Sequence, residues 1–378
     1  MQNRRDWLKS TLALAAGVQL SASLVQSLMA APVSETESNF FLNYPAAAFK
    51  IRLNANENPY GPSEKARKAI QEILNEGNRY PFDAVAELKE ILAKKEGVTP
   101  DHIALGSGSG ELLCMAGAAF GVEGGSVLSG FPTFPMLMNY AEVFQARWDK
   151  VNLNEQLEFD YNALASRVKS DTRLVFICNP NNPTGTLVDP NVVKSFCEEV
   201  SKRVTVYSDE AYLEFLDPQL QVSMVELVRQ GKNVVVSRTF SKIYGLAGLR
   251  IGYVIAKPDL IRKMARYQMS MPSQTAIAAA KASLGDEAFM ALTRNKNAEA
   301  RQHLTHFLDT KKYFYGKSHT NFVFFEPKSS ALQIMNSLGE QGIGIRTWDY
   351  QNKQWCRISI GTLEEMKLLT KVLDQIGV

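Results

Sequence analysis

The run Leu174-Val175-Phe176-Ile177-Cys178, followed at once by Asn179-Pro180-Asn181-Asn182-Pro183-Thr184-Gly185, decides how this chain folds. Continuous apolar residues that stop at an Asn/Pro/Gly turn read as a strand buried on both faces, as in a parallel sheet. Two further runs repeat the pattern. Val204-Thr205-Val206-Tyr207 leads into Asp209-Glu210-Ala211-Tyr212, and Val234-Val235-Val236 leads into Thr239-Phe240-Ser241-Lys242. In open α/β sheets ligands gather beyond the carboxyl ends of the strands. The three runs therefore deliver an amide, a carboxylate and an amine to one edge.

Helical patterns alternate with these strands, which predicts an α/β protein with a largely parallel sheet. Residues 83–97 place Val85, Leu88, Ile91 and Leu92 on one face and end at Gly97. Asp189-Pro190 opens another helix, with Asp as cap and Pro in the first turn. Thr362-x-x-Glu365 is a capping box before a C-terminal helix. Between them the pattern predicts one long helical stretch from about 275 to 310. A strand over Asn321–Glu326, a helix over Ala331–Glu340 and strands over Gly344–Thr347 and Cys356–Ile360 follow. The expected organisation is a leader over 1–31, an arm of a small domain over 32–60, a large domain over 61–270, and the small domain over 271–378.

Composition narrows the function. The 378 residues carry 42 basic and 39 acidic side chains, a net of +3, which argues against a nucleic-acid binder. Cys114, Cys178, Cys197 and Cys356 lack metal or redox spacing and read as buried thiols. His303 and His306 share a helix face without a further ligand in register, so no metal is expected. Gly106-x-Gly108-x-Gly110 lacks the third glycine of a dinucleotide fingerprint.

The first residues read as an address. Arg4-Arg5-Asp6-Trp7-Leu8-Lys9 precedes an uncharged run from Leu12 to Ala31, the layout of a bacterial export signal of twin-arginine type. Gln19, Ser21, Ser23, Gln26 and Ser27 interrupt the run and argue against a stable membrane span. The expectation is a periplasmic or exported protein handled transiently by export machinery, with a cytoplasmic location as the alternative.

Together the motifs resemble the fold-type I pyridoxal-phosphate aminotransferases, and among them the histidinol-phosphate aminotransferase group. The resemblance rests on Leu53-Asn-Ala-Asn56-Glu57-Asn-Pro-Tyr60-Gly61-Pro62, Arg79-Tyr80-Pro81, Gly106 to Glu111, Pro132-Thr-Phe134 and Asn179 to Gly185. It continues through Asp209 to Phe215, Ser241-Lys242-x-Tyr244 to Tyr253, Asn321-Phe322, Gly342 to Arg346 and Arg357 to Thr362. It implies the type I fold, a large domain with a mostly parallel sheet plus a smaller α+β domain. The implied cofactor is pyridoxal 5'-phosphate. The implied partners are a small-molecule amino donor, a 2-oxo acid such as 2-oxoglutarate, and a second copy of the chain in a homodimer.

The resemblance also distributes roles. It makes Lys242 the Schiff-base lysine, its pKa lowered beside Arg250, and the base that moves the substrate proton. Asp209 pairs with the pyridine nitrogen, while Tyr212 and Asn182 bond the phenolic oxygen. Phe134 stacks on the ring. Ser109, Gly110, Ser241 and Arg250 cradle the phosphate at a helix N-terminus, joined by Tyr80 from the other subunit. Arg357 grips the substrate carboxylate or its polar equivalent, and Arg346 reaches a substrate phosphate. Asn56 and Tyr60 fold over the substrate. Close relatives act on aromatic amino acids or decarboxylate phosphothreonine, and a cofactor-binding protein without turnover is a further reading. The amino donor is therefore left open.

Overall fold

Alternate residues of the deciding run turn to two different cores. Val175 and Ile177 pack into one hydrophobic cluster, and Leu174, Phe176 and Cys178 into another on the opposite face. Val206 and Tyr207 divide in the same way, as do Val234 and Val236 against Val235. Both faces of these strands are covered, which is why apolar residues dominate them up to their carboxyl ends. Helix Pro190–Val200 contributes Val193, Phe196 and Cys197 to the first cluster. Helix Ser109–Gly121 contributes Leu112, Leu113 and Met115 to the second.

The computed structural model describes residues 49–378. The leader expected over 1–31, and most of the arm expected over 32–60, lie outside the described residues. Among the described residues no helix is long and apolar enough to cross a membrane.

A two-residue strand β1 (Ile51–Arg52) precedes the strands of the central sheet. These are β2 (Ile103–Gly106), β3 (Ser126–Phe131), β4 (Arg147–Asn152), β5 (Thr172–Cys178), β6 (Thr205–Asp209), β7 (Val234–Thr239) and β8 (Gly252–Ala256). Their order is β2-β8-β7-β6-β5-β3-β4, with β7, β6, β5, β3 and β4 parallel. Strand β8 runs antiparallel to both of its neighbours. The fold is α/β with a mostly parallel sheet between helical layers, as expected.

The C-terminal region adds β9 (Phe314–Tyr315), β10 (Phe322–Glu326), β11 (Ile343–Gly344), β12 (Arg346–Tyr350) and β13 (Lys353–Ser359). An antiparallel sheet in the order β12-β13-β10-β9 packs with helices Glu287–Thr310 and Leu363–Gln375 around a third core. The helix ends follow their chemistry. Gly97 closes Phe82–Glu96 in the left-handed conformation, Asp189 caps Pro190–Val200, and Thr362 with Glu365 forms the capping box.

Three expectations need correction. The stretch over 275–310 is two helices, Gln274–Leu284 and Glu287–Thr310, broken at Gly285-Asp286, where Asp286 meets Lys65 at 3.4 Å. The strand expected over Gly344–Thr347 is split. Its first part, β11, pairs in parallel with β1, whereas β12 forms a hairpin with β13. Cys114 is only partly buried, while the other three thiols are buried and all four are free.

Candidate active site

Strands β5, β6 and β7 end side by side, with Cys178 in register with Asp209 and Asp209 with Ser237. The loop after β5 is held by its own amides. Asn179 exchanges hydrogen bonds with the Val188 backbone at 2.9 and 3.1 Å. Asn181 donates to the Pro132 carbonyl at 3.0 Å and accepts from Thr133 at 2.8 Å. With both of these committed to the loop, Asn182 is the amide presented to the site. Its Oδ1 accepts from Arg357 at 2.8 Å, which ties the central sheet to the C-terminal one.

Asp209 is 3 % exposed. Its Oδ1 accepts from the Ser237 hydroxyl and the Ala211 N–H, both at 3.1 Å. Burial nonetheless pushes its carboxyl up to about 6, against those two donors. A buried carboxylate whose pKa is raised in this way gains from a cationic partner that stabilises its ionised form. Beside it, Arg238 of β7 donates to Glu210, just past the end of β6, at 2.9 Å and to Glu214 in the turn that follows at 3.0 Å, a buried ion cluster. That cluster was not read from the sequence, although Glu210 and Glu214 lie within the quoted motif.

Lys242 follows β7 on a tight loop. Its Nζ donates to the carbonyls of Ala55 and Asn56 at 3.4 and 3.3 Å and lies 5.8 Å from the centre of the Tyr212 ring. Burial, then the charge of Arg357, and after these Arg250, push its ammonium down to about 7. Desolvation and Arg357 thus outweigh the neighbour expected to do this, Arg250. An amine with that pKa is substantially neutral at physiological pH and can act as nucleophile or base. The segment 53–62 reaches the lysine because Gly245 admits it. A Cβ on Gly245, which has φ +71°, would lie 2.0 Å from the Gly61 carbonyl oxygen. Asn58 secures the same contact by donating to the Ile243 carbonyl at 2.8 Å.

An anion cradle opens beside the lysine. Helix Ser109–Gly121 begins after Gly108 with no side-chain cap, so its first N–H groups face outward. Gly108 has φ +82°, and a Cβ there would sit 2.3 Å from the guanidinium of Arg250. Only glycine lets Arg250 lie against the helix end. Arg250 donates to the Ala247 carbonyl at 2.8 Å, and among the described residues no carboxylate pairs with it. The first-turn acid, Glu111, is directed away, accepting from the backbone of Ser107, Met269 and Ser270. Ser109 and Gly110 form the helix start, and Ser241 is buried next to the lysine.

Arg357 and Arg346 are cross-strand partners on β13 and β12. Arg357 also donates to the Asn54 carbonyl at 3.1 Å, and its guanidinium lies 4.7 Å from the centre of the Trp348 ring and 5.4 Å from that of Phe322. Asn56 is buried and donates to the Tyr212 hydroxyl at 2.9 Å. Tyr60 lies on the same segment, its phenol pKa raised chiefly by burial. Phe134 is half-buried and packs against the second core. Tyr80 is 78 % exposed, on an open groove lined also by Met269 and Met271. The structure therefore brings Lys242, Asp209, Tyr212, Asn182, Asn56 and Arg357 together, and leaves Tyr80 on the surface.

A buried carboxylate, a near-neutral lysine and a glycine-lined arginine at a bare helix N-terminus fit pyridoxal phosphate, with its basic ring nitrogen, aldehyde and phosphate. Comparison with known proteins agrees. The family model "Aminotransferase class I and II" matches residues 49–373. A histidinol-phosphate aminotransferase of Moorella thermoacetica is 35% identical over 86% of this chain and 85% of its own. Histidinol-phosphate aminotransferase 2 of Ralstonia nicotianae is 37% identical over 88% and 90%. The crystal structure of histidinol-phosphate aminotransferase from Sinorhizobium meliloti in complex with pyridoxal-5'-phosphate superposes with a TM-score of 0.78 at 28% identity, covering 87% of this chain and 92% of that one. The chain belongs to the class I and II aminotransferases.

Proposed function

We propose that this protein is a pyridoxal-phosphate-dependent aminotransferase most like histidinol-phosphate transaminase, passing the amino group of a phosphorylated donor to a 2-oxo acid such as 2-oxoglutarate. The observation that carries the choice of donor is the pairing of Arg346 with Arg357 on one face of a hairpin next to Lys242. Two guanidinium groups suit a substrate with two anionic or polar ends. The names of the Moorella and Ralstonia relatives support the same choice.

When bound, pyridoxal phosphate supplies the carbon that accepts the amino group and a ring that takes up the electrons released at the donor's Cα. Lys242 would anchor it, and its amine would serve as the base that moves the proton of the donor's Cα. Asp209 holds the proton on the ring nitrogen. Tyr212 and Asn182 would hydrogen-bond the phenolic oxygen, and Phe134 would stack on the ring. Ser109, Gly110, Ser241 and Arg250 hold the phosphate. Arg357 binds the carboxylate of the oxo acid or the equivalent end of the donor, and Arg346 the donor's phosphate. Asn56 and Tyr60 close over the substrate and exclude water.

In this reading residues 61–270 form the cofactor-binding domain and residues 271–378, with the arm, the substrate-binding one. Tyr80 reaches the phosphate of a second copy in a homodimer, a role supported by its exposure beside Met269 and Met271. The leader carries the folded, cofactor-loaded protein across the membrane by the twin-arginine route.

A half-reaction screen tests the function. Histidinol phosphate, phenylalanine and phosphothreonine are mixed in turn with the holoenzyme, and conversion of the cofactor to its amine form is followed by absorbance. Fastest conversion by histidinol phosphate is expected. Fastest conversion by phenylalanine would move the enzyme to aromatic donors, and release of carbon dioxide from phosphothreonine would make it a decarboxylase. No conversion by any donor would leave a cofactor-binding protein without turnover. Lys242→Ala serves as the control that abolishes the lysine-linked absorbance band.

A further inference from the structure

Asn56 is buried and stands in the left-handed region, φ 53°, a conformation that favours glycine. Such a position persists only where its surroundings over-determine it. Here they do. Asn321 donates to the Asn56 carbonyl at 3.0 Å, and the Asn56 N–H donates to the Ser359 hydroxyl oxygen at 2.8 Å.

The donor and acceptor accounting of this contact has one solution. Ser359 Oγ lies 2.8 Å from Asn56 Oδ1, and among the described residues no other acceptor lies within hydrogen-bond distance of that hydroxyl. The serine proton therefore goes to Oδ1, because turning the amide over would bury it without a partner. With Oδ1 facing Ser359, the amide NH2 faces Tyr212, 2.9 Å from its hydroxyl oxygen. An NH2 group only donates, so Tyr212 accepts there. The tyrosine's own proton must then point elsewhere.

We propose that Ser359 is a positioning residue that, through Asn56, obliges Tyr212 to donate its hydroxyl proton to the phenolic oxygen of the bound cofactor. The inference rests on the pyridoxal-phosphate reading above. Its chain joins residues 303 and 156 positions apart, Asn56 to Ser359 and Asn56 to Tyr212. The charged groups facing the tyrosine are Arg357, Asp209 and Lys242. All three remain in place when Ser359 is changed, so a change in the tyrosine's donation can be read separately from theirs.

The experiment titrates the absorbance band of the lysine-linked cofactor in the full-length holoenzyme. A donated proton stabilises the phenolate and lowers the pH at which the linkage loses its proton. Ser359→Ala should raise that midpoint by about half a unit or more, and Ser359→Thr, which keeps the hydroxyl, should restore it. In a Tyr212→Phe background Ser359→Ala should add nothing. An unmoved midpoint in Ser359→Ala, or an equal shift in the Tyr212→Phe background, would overturn the proposal. If Ser359→Ala does not fold, Asn56→Asp carries the same test, since it replaces the donor facing Tyr212 by an acceptor. It should raise the midpoint, and an unmoved one overturns the proposal. A wild-type protein that forms no such band with pyridoxal phosphate defeats the cofactor reading itself, an outcome distinct from a band whose midpoint does not move.

Discussion

Arg346 and Arg357 stand directly opposite each other in the β12–β13 hairpin, two cations projecting from one face of one sheet. Like charges so placed repel, and an anion between or beside them relieves the repulsion. Arg357 is fixed by Asn182, Asn54 and the rings of Trp348 and Phe322. Arg346 is its cross-strand partner on β12. Arg346→Ala should therefore cut kcat/KM for phosphorylated donors by roughly 10- to 100-fold, the size of a lost charge-assisted pair, and affect unphosphorylated amino acids little. Steady-state kinetics with one donor of each kind decides it, and equal losses on both would remove Arg346 from the phosphate site.

The amine of Lys242, pushed down to about 7, is neutral above that pH in the cofactor-free protein. Only the neutral amine attacks an aldehyde. Uptake of pyridoxal phosphate should thus quicken as pH rises to about 7 and level off beyond it. Stopped-flow absorbance measures the rate, and a rate still climbing toward the ordinary lysine range would show that the site does not depress this lysine.

Asp209 has the opposite displacement, raised by burial from 3.8 to about 6. Between those values the folded protein binds the extra proton, so this group's contribution to stability falls as pH rises from about 4 to 6. Its destabilisation is fully present above about 6. Asp209→Asn, which keeps the oxygen that accepts from Ser237 and Ala211, should stabilise the cofactor-free protein at pH 8 by up to about 3 kcal/mol. The gain should shrink as pH falls toward 4, and transamination should drop by roughly 100-fold or more because the proton on the ring nitrogen loses its counter-charge. Urea unfolding at several pH values, paired with activity, tests both halves.

Replacing Arg4-Arg5 by Lys-Lys should block export if the leader is of twin-arginine type. Cell fractionation with an activity assay on each fraction reads the result. Undiminished activity in the periplasm would assign the leader to another route.

The strands and helices were legible wherever a local pattern carried them. Apolar runs marked β5, β6 and β7, that of β6 interrupted only by Thr205, because helices cover both faces, and Asp189, Thr362 and Gly97 announced helix ends with groups that satisfy the backbone locally. The direction of β8 was not legible. Gly252-Tyr253-Val254-Ile255-Ala256 is equally apolar read either way, and only its pairing with β2 and β7 sets its sense. The split between β11 and β12 escaped for a related reason, since β1 captures Ile343 and Gly344 from a distant part of the chain. At the site, the identities of Lys242, Asp209 and Arg357 were legible, but their energetics were not. That Arg357 outweighs Arg250 in depressing the lysine depends on where two sheets meet. Ser359 lay in plain view in the motif Arg357-Ile-Ser359, and nothing local singles it out.

The contact between Asn56 and Ser359 also sets an order of events in biogenesis. A site closed by residues 303 positions apart cannot assemble on the ribosome until nearly the whole chain has emerged. Cofactor capture would then mark the end of synthesis rather than accompany it. A truncated product lacking β13 would contain the lysine and Arg250 yet lack Arg357 and the Ser359 hydroxyl that holds the Asn56 amide. Loading with the cofactor thereby becomes a built-in check that β13 has joined the fold.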